Sequence, residues 1–184
     1  MACMTDSADS DEALIGRYAH GDAAAFERLY RRHEMRIWRY LERHVGNRAT
    51  ADELMQEVWI AVARDAERYA PTARFTTWLF TIAHNRMIDA MRAKREHLSL
   101  EKEQLTSDPA LGPLAAAVAR DQRAALSQAI EQLPSEQRDA FLLQIEGDLS
   151  VEEIAAVTRS SFETTKSRLR YARTKLRELL REYA

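Results

Sequence analysis

The sequence predicts an all-α protein made of two small helical domains joined by a flexible linker. Three observations favour this fold class. Apolar residues recur at helical spacing along most of the 184 residues. Glycine and proline are scarce, with 5 and 4 copies, whereas Ala, Leu, Arg and Glu are abundant. One stretch, SLEKEQLTSDPALGP, interrupts the periodicity with two prolines and a glycine.

Composition limits the class of protein further. A hydrophobic content of 46% is enough for a packed core. The single cysteine, Cys3, cannot form a disulfide framework, which suits a reducing cytosol. No apolar run approaches the roughly 18 residues that a membrane span needs. The acidic N-terminus MACMTDSADSDE does not resemble a signal peptide. We therefore expect a cytoplasmic protein without membrane insertion.

Residues 1–10 are expected to be a disordered leader, and residues 11–96 the first domain. A break at His20-Gly21-Asp22 separates its first two helices, and Val45-Gly46-Asn47 ends the second. Residues 50–53, TADE, match a capping box and predict a helix that runs to about Arg68. Pro71 marks a loop, after which a helix is predicted from about residue 76 to 95.

The linker is predicted at residues 97–113, where large apolar groups are few. The alternative is a long surface loop within a single domain. Residues 114–184 form the predicted second domain. Its first helix is expected over 114–132 and ends before Pro134, and the next is expected over 135–146 and ends at Gly147.

Two further capping boxes, SVEE at 150–153 and SSFE at 160–163, predict a short helix and a long final helix. The connection between them is only Thr158-Arg159-Ser160. Helix, tight turn and longer helix is the geometry of a helix-turn-helix. In the final helix an apolar stripe is predicted to face the core, at Thr165, Leu169, Ala172, Leu176 and Leu179.

Charge is sorted along the second domain. From residue 159 to the C-terminus eight basic residues stand against three acidic ones, whereas residues 120–158 hold three basic and eight acidic ones. A recognition helix enters the major groove by its N-terminal part, and cations along it suit phosphates. A merely solvated basic face is the alternative. The candidate DNA-binding residues are Ser161, Glu163, Thr164, Lys166, Ser167, Arg168, Arg170, Tyr171 and Arg173.

The first domain interleaves aromatic and basic residues in RYAPTARFTTWLFTIAHNRMIDAMRAKR. Such a mixture suits unstacked bases and phosphates. The loop residues Tyr69, Arg74 and Phe75 are placed to receive a base. Many of the remaining apolar residues are expected to be core by spacing, namely Trp78, Leu79, Ile82, Met87 and Ile88.

Three blocks together resemble the extracytoplasmic-function (ECF) sigma factors, the smallest class of the sigma-70 family. ADELMQEVWIAVAR is similar to that family's acidic helix, and FTTWLFTIAHNRMIDAMRAKR to its W-L-x-x-I-A-x-N-x-x-x-D-x-x-R helix. The segment from LPSEQRDAFLLQIEGDLSVEEIAAV through ETTKSRLRYARTKLR is similar to its C-terminal helix-turn-helix. The resemblance spans nearly the whole chain after residue 10.

The resemblance implies that the first domain binds the −10 promoter element and helps to open it. Tyr69, Arg74 and Phe75 would line the loop that receives a flipped base of the non-template strand. His84, Asn85, Arg86, Asp89 and Arg92 would face the promoter from the following helix. For Asp89, orientation of neighbouring arginines is the alternative role. The second domain would bind the −35 element.

The resemblance also implies partners. Asp52, Glu53, Gln56 and Glu57 would dock on the β′ clamp of core RNA polymerase, with the β flap as a further contact. The alternative interpretation is that acidic residues at the start of a helix are stabilised by the helix dipole and need no partner. Many relatives bind an anti-sigma factor. We expect a monomer when free, whose domains become ordered relative to each other only on a partner, and nucleoid association within the holoenzyme.

Other classes are disfavoured. The sequence has no G-x-x-x-x-G-K-[ST], H-E-x-x-H or G-x-S-x-G motif and no paired cysteines, so we expect no catalytic residues, cofactor or metal. His33 and His44 are expected at the surface or at helix ends. A free-standing helix-turn-helix regulator is the alternative function. Arg159 and Glu163 stand where the family often has glycine, and a capping box with Ser160 would explain Glu163.

Overall fold

The computed structural model describes residues 10–98 and 117–181, with side chains for 10–94 and 124–181. Every regular element within these ranges is helical, which confirms the all-α prediction. A 3-10 turn, Ala66–Arg68, follows α3. The helices are α1 Asp11–Ala19, α2 Ala23–Val45, α3 Arg48–Asp65, α4 Phe75–Leu98, α5 Ala117–Glu131, α6 Ser135–Gly147, α7 Val151–Thr158 and α8 Phe162–Leu179. Across the described part of the chain, no helix combines the length and apolarity needed to cross a bilayer.

Caps fix the helix boundaries of the N-terminal unit. Asp22 accepts hydrogen bonds from the first backbone amides of α2, and Gly46 ends that helix in the left-handed conformation, so both predicted breaks are confirmed. The predicted start of α3 is wrong. Asn47, not Thr50, is the N-cap, because its side chain accepts a 3.0 Å bond from the Thr50 amide. Asparagine competes well for this position, and the TADE segment lies inside the helix.

The core of the N-terminal unit is formed by apolar side chains that recur along α1 to α4. Its fully buried members include Leu14, Ile15, Leu29, Ile37, Leu41, Val58, Val62, Phe75, Leu79 and Phe80. His33, expected near the surface, is also buried, at 3% exposure. Its Nε2 lies 2.7 Å from Asp11 Oδ2, so a carboxylate from α1 pairs with one nitrogen of this buried ring.

The C-terminal unit packs α6 and α7 against α8. The predicted stripe on α8 is confirmed, with Thr165, Leu169, Ala172 and Leu176 buried and Leu179 partly buried. The SVEE capping box is also present, with Ser150 and Glu153 each bonded to the other's backbone amide.

The predicted start of α8 is wrong by one residue. Ser161 Oγ accepts a 3.1 Å bond from the Thr164 amide, which makes Ser161 the N-cap. Ser160 instead lies against the Thr158 and Thr165 hydroxyls at 2.9 and 2.7 Å, which fixes the turn from inside. Glu163 therefore falls one residue too early for the predicted capping box with Ser160.

The end of α6 differs from prediction in the same way. Gly147 is the last helical residue, and Asp148 takes the left-handed conformation at φ 54°. A Cβ at Gly147 would lie 2.9 Å from Leu149 Cγ and 3.4 Å from Phe80 Cγ. Glycine at position 147 therefore allows close packing against Leu149 and Phe80, whereas Asp148 supplies the left-handed conformation that ends the helix.

Most of the predicted linker, residues 97–113, lies outside the described residues, as do residues 1–9 of the predicted leader 1–10. Its last residue, Ser10, is ordered as the N-cap of α1. The division into a first domain at 11–96 and a second at 114–184 stays a prediction. The helices on either side of the linker do, however, contact each other. α6 packs on α2 and α4, and α7 packs on α4. The two units thus share an interface within a single chain, whereas we expected them to become ordered relative to each other only on a partner.

Candidate nucleic-acid and polymerase interfaces

The outward side of α8 gathers the predicted −35 residues. Burial of one apolar stripe forces the rest of the helix to face solvent. Ser161, Glu163, Thr164, Lys166, Arg170, Tyr171 and Arg173 are exposed, and Ser167 and Arg168 are partly buried. The first two turns of the helix thus present hydroxyls, a carboxylate and cations together, as base edges and phosphates require.

A concave surface of ≈ 460 Å³ lies at the start of α8. Thr164, Ser167, Arg168 and Tyr171 line it, and Glu136 from α6 closes one side. Arg168 Nη2 donates to Glu136 Oε2 at 2.6 Å. Because Glu136 is exposed, this pair is easily exchanged for a phosphate or a base edge.

Ring contacts order two of the exposed cations. The Arg170 guanidinium lies 4.9 Å from the centroid of Tyr171, and Lys166 Nζ lies 5.8 Å from that of Phe162. Phe162 is 42% exposed at the first position of α8 and was missed by the sequence prediction. An exposed phenylalanine on an otherwise polar face was the signal that could have identified it.

The loop between the 3-10 turn and α4 holds the predicted base-receiving residues. The Tyr69 hydroxyl donates to the Ala73 carbonyl at 2.8 Å and closes the loop on itself. Burial, with Glu12 and Asp11 nearby, raises the pKa of Tyr69 to about 12, so the phenol stays neutral. Arg74 is exposed, whereas Phe75 is fully buried as the first residue of α4.

Only some of the residues predicted to face the promoter from α4 are exposed to solvent. Asn85, Asp89 and Arg92 are exposed and Arg86 is partly buried. His84 instead points into the interface between the units, where its Nδ1 lies 3.3 Å from Asp139 Oδ2. Ile88, expected in the core, is 38% exposed beside Asp89.

The acidic residues of α3 lie on its solvent side, since Asp52, Glu53, Gln56 and Glu57 are all exposed. Asp52 and Gln56 border a groove of ≈ 810 Å³ between α2 and α3. Trp38 Nε1 donates to Asp52 Oδ1 at 2.7 Å across this groove. Met35 and Ile60, at 55% and 66% exposure, add apolar area beside the acids. An acidic face with an apolar groove fits a basic, amphipathic protein partner.

Two family models match this chain. Sigma-70 region 2 matches residues 29–97, and Sigma-70, region 4 matches residues 123–176. The first covers most of α2 through α4, and the second covers the helix-turn-helix.

Curated relatives match over nearly the full length. The chain is 37% identical to RNA polymerase sigma factor CarQ of Myxococcus xanthus over 170 residues, which cover 90% of this chain and 95% of the relative. It is 34% identical to ECF RNA polymerase sigma factor RpoE of Cereibacter sphaeroides over 181 residues, which cover 95% and 98%.

Solved structures share the fold. CnrH in complex with the cytosolic domain of CnrY matches with a TM-score of 0.69 and 24% identity, over 95% of this chain and 99% of that one. The sigma factor RpoE in complex with the anti-sigma factor NepR from Bartonella quintana matches with a TM-score of 0.64 and 24% identity, over 79% and 89%. From both regions and the full-length relatives, this chain belongs to the ECF group of the sigma-70 family of RNA polymerase sigma factors.

Proposed function

We propose that this ECF sigma factor directs core RNA polymerase to promoters through the −35 and −10 contacts described below, and that it has no catalytic activity of its own. The observation that carries the proposal is the exposed basic start of α8, held on a helix-turn-helix core. The same chain carries an exposed acidic face on α3 for a protein partner. The −35 contact and the clamp contact therefore fall on different units.

At the −35 element, α8 would enter the major groove by its first two turns. Glu163, Thr164 and Ser167 offer hydrogen bonds to base edges, and Arg168 offers a bidentate contact. Lys166, Arg170 and Arg173 would neutralise phosphates on either side. Glu136 and Gln144, which accept hydrogen bonds from Arg168 and Arg173, would hold those side chains until DNA replaces them.

At the −10 element, the loop of residues 69–74 would receive an unstacked base of the non-template strand. Tyr69 is the aromatic residue of this loop and is partly exposed, and its hydroxyl donates to the Ala73 carbonyl. Stacking on an aromatic ring is worth about 1–3 kcal/mol per base, which offsets the cost of unstacking. Phe75 would support Tyr69 from the core, since the two ring centroids lie 6.1 Å apart with an interplanar angle of 75°.

The acidic face of α3, with the groove beside it, would bind the β′ clamp. Negative charge at the rim would steer a basic partner, and the apolar groove would supply the buried area. The C-terminal unit would reach the β flap. The chain would act in the cytoplasm, associated with the nucleoid when it is in the holoenzyme. The solved relatives named above are each in complex with another protein, which for RpoE is the anti-sigma factor NepR, so an anti-sigma factor is a further proposed partner.

Run-off transcription tests this proposal. Purified core polymerase is mixed with the chain and a library of promoter fragments, and binding of the chain alone to the same fragments is measured in parallel. Chain-dependent transcripts from fragments that share −35 and −10 elements support the proposal. Absence of transcripts, with tight binding of duplex DNA by the chain alone, would instead identify a free-standing helix-turn-helix regulator.

A further inference from the structure

We propose that Phe162, the first residue of α8, determines sequence specificity at the −35 element by contacting the 5-methyl group of a thymine in the major groove. This inference rests on the proposed function, because it requires α8 to enter the groove by its first two turns. It deepens that function by giving a base-reading role to an apolar side chain among the polar and charged residues assigned to DNA.

Phe162 is the exposed phenylalanine of this protein. All five phenylalanines lie within the described residues. Phe75 and Phe80 are fully buried, Phe26 and Phe141 are partly buried, and Phe162 is 42% exposed. Single apolar side chains are common on protein surfaces, so exposure alone assigns no role. The position of this ring at the start of the recognition helix is what gives it one.

The backbone that carries Phe162 is held in place from within the turn. Ser161 Oγ accepts a 3.1 Å hydrogen bond from the Thr164 amide, so the N-cap lies directly before Phe162. The Ser160 hydroxyl lies 2.7 Å from Thr165 Oγ1, and Thr165 is fully buried. The ring is therefore presented from a fixed backbone, which limits the conformational freedom that it loses on binding.

The neighbours of Phe162 connect it to both kinds of DNA contact. Residues four apart on a helix are adjacent, and Lys166 Nζ lies 5.8 Å from the centroid of the Phe162 ring. Lys166 is exposed and is assigned to a phosphate. Glu163, the next residue in the chain, is also exposed and is assigned to a base edge. The ring thus lies between a backbone contact and a base contact.

The major groove offers thymine as the partner for such a ring. Guanine, cytosine and adenine are distinguished there by hydrogen-bond donors and acceptors, whereas thymine also presents its C5-methyl group. Phenylalanine can neither donate nor accept a conventional hydrogen bond through its side chain. Burial of the methyl group against the ring removes apolar surface of both partners from water. Phe162 would therefore favour thymine at one position of the −35 element.

The experiment removes the methyl group from the DNA and the ring from the protein. Holoenzyme is assembled from core polymerase and the full chain, and the probe is a promoter fragment recovered by run-off transcription. Each thymine of its −35 element, on either strand, is replaced in turn by deoxyuridine. Deoxyuridine keeps the Watson–Crick edge and the O4 acceptor of thymine but lacks the 5-methyl group. Dissociation constants are measured for the parent chain and for Phe162→Ala.

For the parent chain, deoxyuridine is expected to weaken binding on the order of fourfold at one position, or at two adjacent ones, and to have no effect elsewhere in the element. Phe162→Ala should bind the unmodified fragment at least as weakly, and deoxyuridine at that position should cause no further loss. Ile145→Ala is the matched control, because it removes an apolar side chain of 44% exposure from α6. It should keep the sensitivity of the parent to deoxyuridine.

A direct readout covers the case in which Phe162→Ala fails to fold. With 5-iododeoxyuridine at the sensitive position, an iodine atom replaces the methyl group and crosslinks on irradiation to an aromatic ring that touches it. Mass spectrometry of the parent holoenzyme should place the crosslink at Phe162. A crosslink to another residue would assign the methyl contact to that residue and overturn the proposal.

Three binding results would also overturn it. The parent could be insensitive to deoxyuridine at every position, or Phe162→Ala could keep the full sensitivity of the parent. Phe162→Ala could also weaken binding of all fragments equally with deoxyuridine without effect on the parent, which would place the ring against polymerase. If run-off transcription gives no transcripts, the same scan is applied to the duplex that the chain binds alone, so failure of the proposed function is recorded separately.

Discussion

The Tyr40 hydroxyl donates a 2.8 Å hydrogen bond to Asp139, which lies 99 residues later in the chain. Tyr40 belongs to the segment that matches region 2, and Asp139 to the segment that matches region 4. Both residues are buried, so the contact lies inside the protein and not at its rim. A polar pair of this kind is costly to separate unless both partners regain hydrogen bonds from water or a ligand.

Asp139→Asn is expected to lower the free energy of unfolding by about 2 kcal/mol at neutral pH, because a charged hydrogen-bond acceptor is lost. The folded state lowers the pKa of Asp139, so its stabilising effect is present above about pH 4, where the unfolded carboxyl also ionises. That effect is lost as the pH falls towards the folded pKa. Urea unfolding at pH 7 and at successively lower pH measures this effect. The difference in free energy of unfolding between variant and parent should shrink as the pH falls. Asp89→Asn, at an exposed position, should show no gap at neutral pH.

Ser150→Ala is expected to destabilise the C-terminal unit by about 1 kcal/mol, because the α7 amide of Glu153 loses its capping partner. Thermal unfolding followed by circular dichroism measures this loss. Ser135→Ala is the control, since Ser135 is exposed at the first position of α6 and Pro134 occupies its N-cap. Equal loss in both variants would contradict the assignment of the cap.

Lys166→Ala and Arg168→Ala are expected to reduce −35-dependent initiation for different reasons. Lys166 is placed for a phosphate, so its loss should weaken binding of all sequences. It should also reduce the slope of log binding constant against log salt concentration by about 1 in magnitude. Arg168 is placed for a base edge, so its loss should cost about 1–3 kcal/mol and relax sequence preference. Holoenzyme binding to promoter variants at several salt concentrations separates the two effects.

Lys175→Ala is the control for that pair. Lys175 is exposed on the same helix, two turns further on, beside Pro134 and Gln137 and not at the concave surface. Normal initiation by both test variants would show that the recognition face is placed wrongly.

Asp52→Arg with Glu53→Arg is expected to weaken core polymerase binding on the order of tenfold, because two charges of the acidic face of α3 are reversed. Both side chains are exposed, so the far-ultraviolet circular dichroism spectrum should not change. Glu27→Arg with Glu67→Arg reverses the same charge outside the groove lining and should bind normally. Retained affinity in the Asp52 and Glu53 variant would remove the clamp assignment.

Arg159→Gly is expected to change stability and DNA affinity in opposite directions. Arg159 has φ 52°, a conformation that glycine adopts without steric cost, so the variant should be more stable by up to about 1 kcal/mol. The same change removes an exposed cation from the turn before α8, so duplex affinity should fall. Chemical unfolding and promoter binding by the holoenzyme measure the two effects. An increase in both stability and DNA affinity would show that Arg159 contacts no phosphate.

Features set by local chemistry were predictable from the sequence. The stripe on α8, the capping box at Ser150 and the breaks at Gly21 and Gly46 depend on neighbours within a few residues. The exposed basic and acidic faces follow from the same periodicity. Errors at Asn47 and Ser161 arose where polar residues one to three positions apart competed for one cap, and only the backbone conformation decides between them.

Features set by contacts across a hundred residues were not predictable. His44 lies at a helix end, as expected, in the last turn of α2, but its burial beside Asp139 to 4% exposure of the side chain was not predicted. Phe75 was placed in a loop and is instead the first residue of α4, buried in the core of the N-terminal unit beside His33. His84 was placed towards DNA and is instead buried beside Asp139 of α6. No periodicity within α2 or α4 indicates that a second unit covers His44 or His84.

The groove between α2 and α3 has an optical consequence. Two of the chain's three tryptophans, Trp38 and Trp59, line it, and Trp38 is hydrogen-bonded to the acidic face through Asp52. A partner that enters the groove would change the surroundings of the partly exposed Trp38 and pack beside the buried Trp59. Occupancy of the groove should therefore shift the intrinsic fluorescence of the protein, so that association and dissociation can be followed in real time on the unlabelled, unmodified chain.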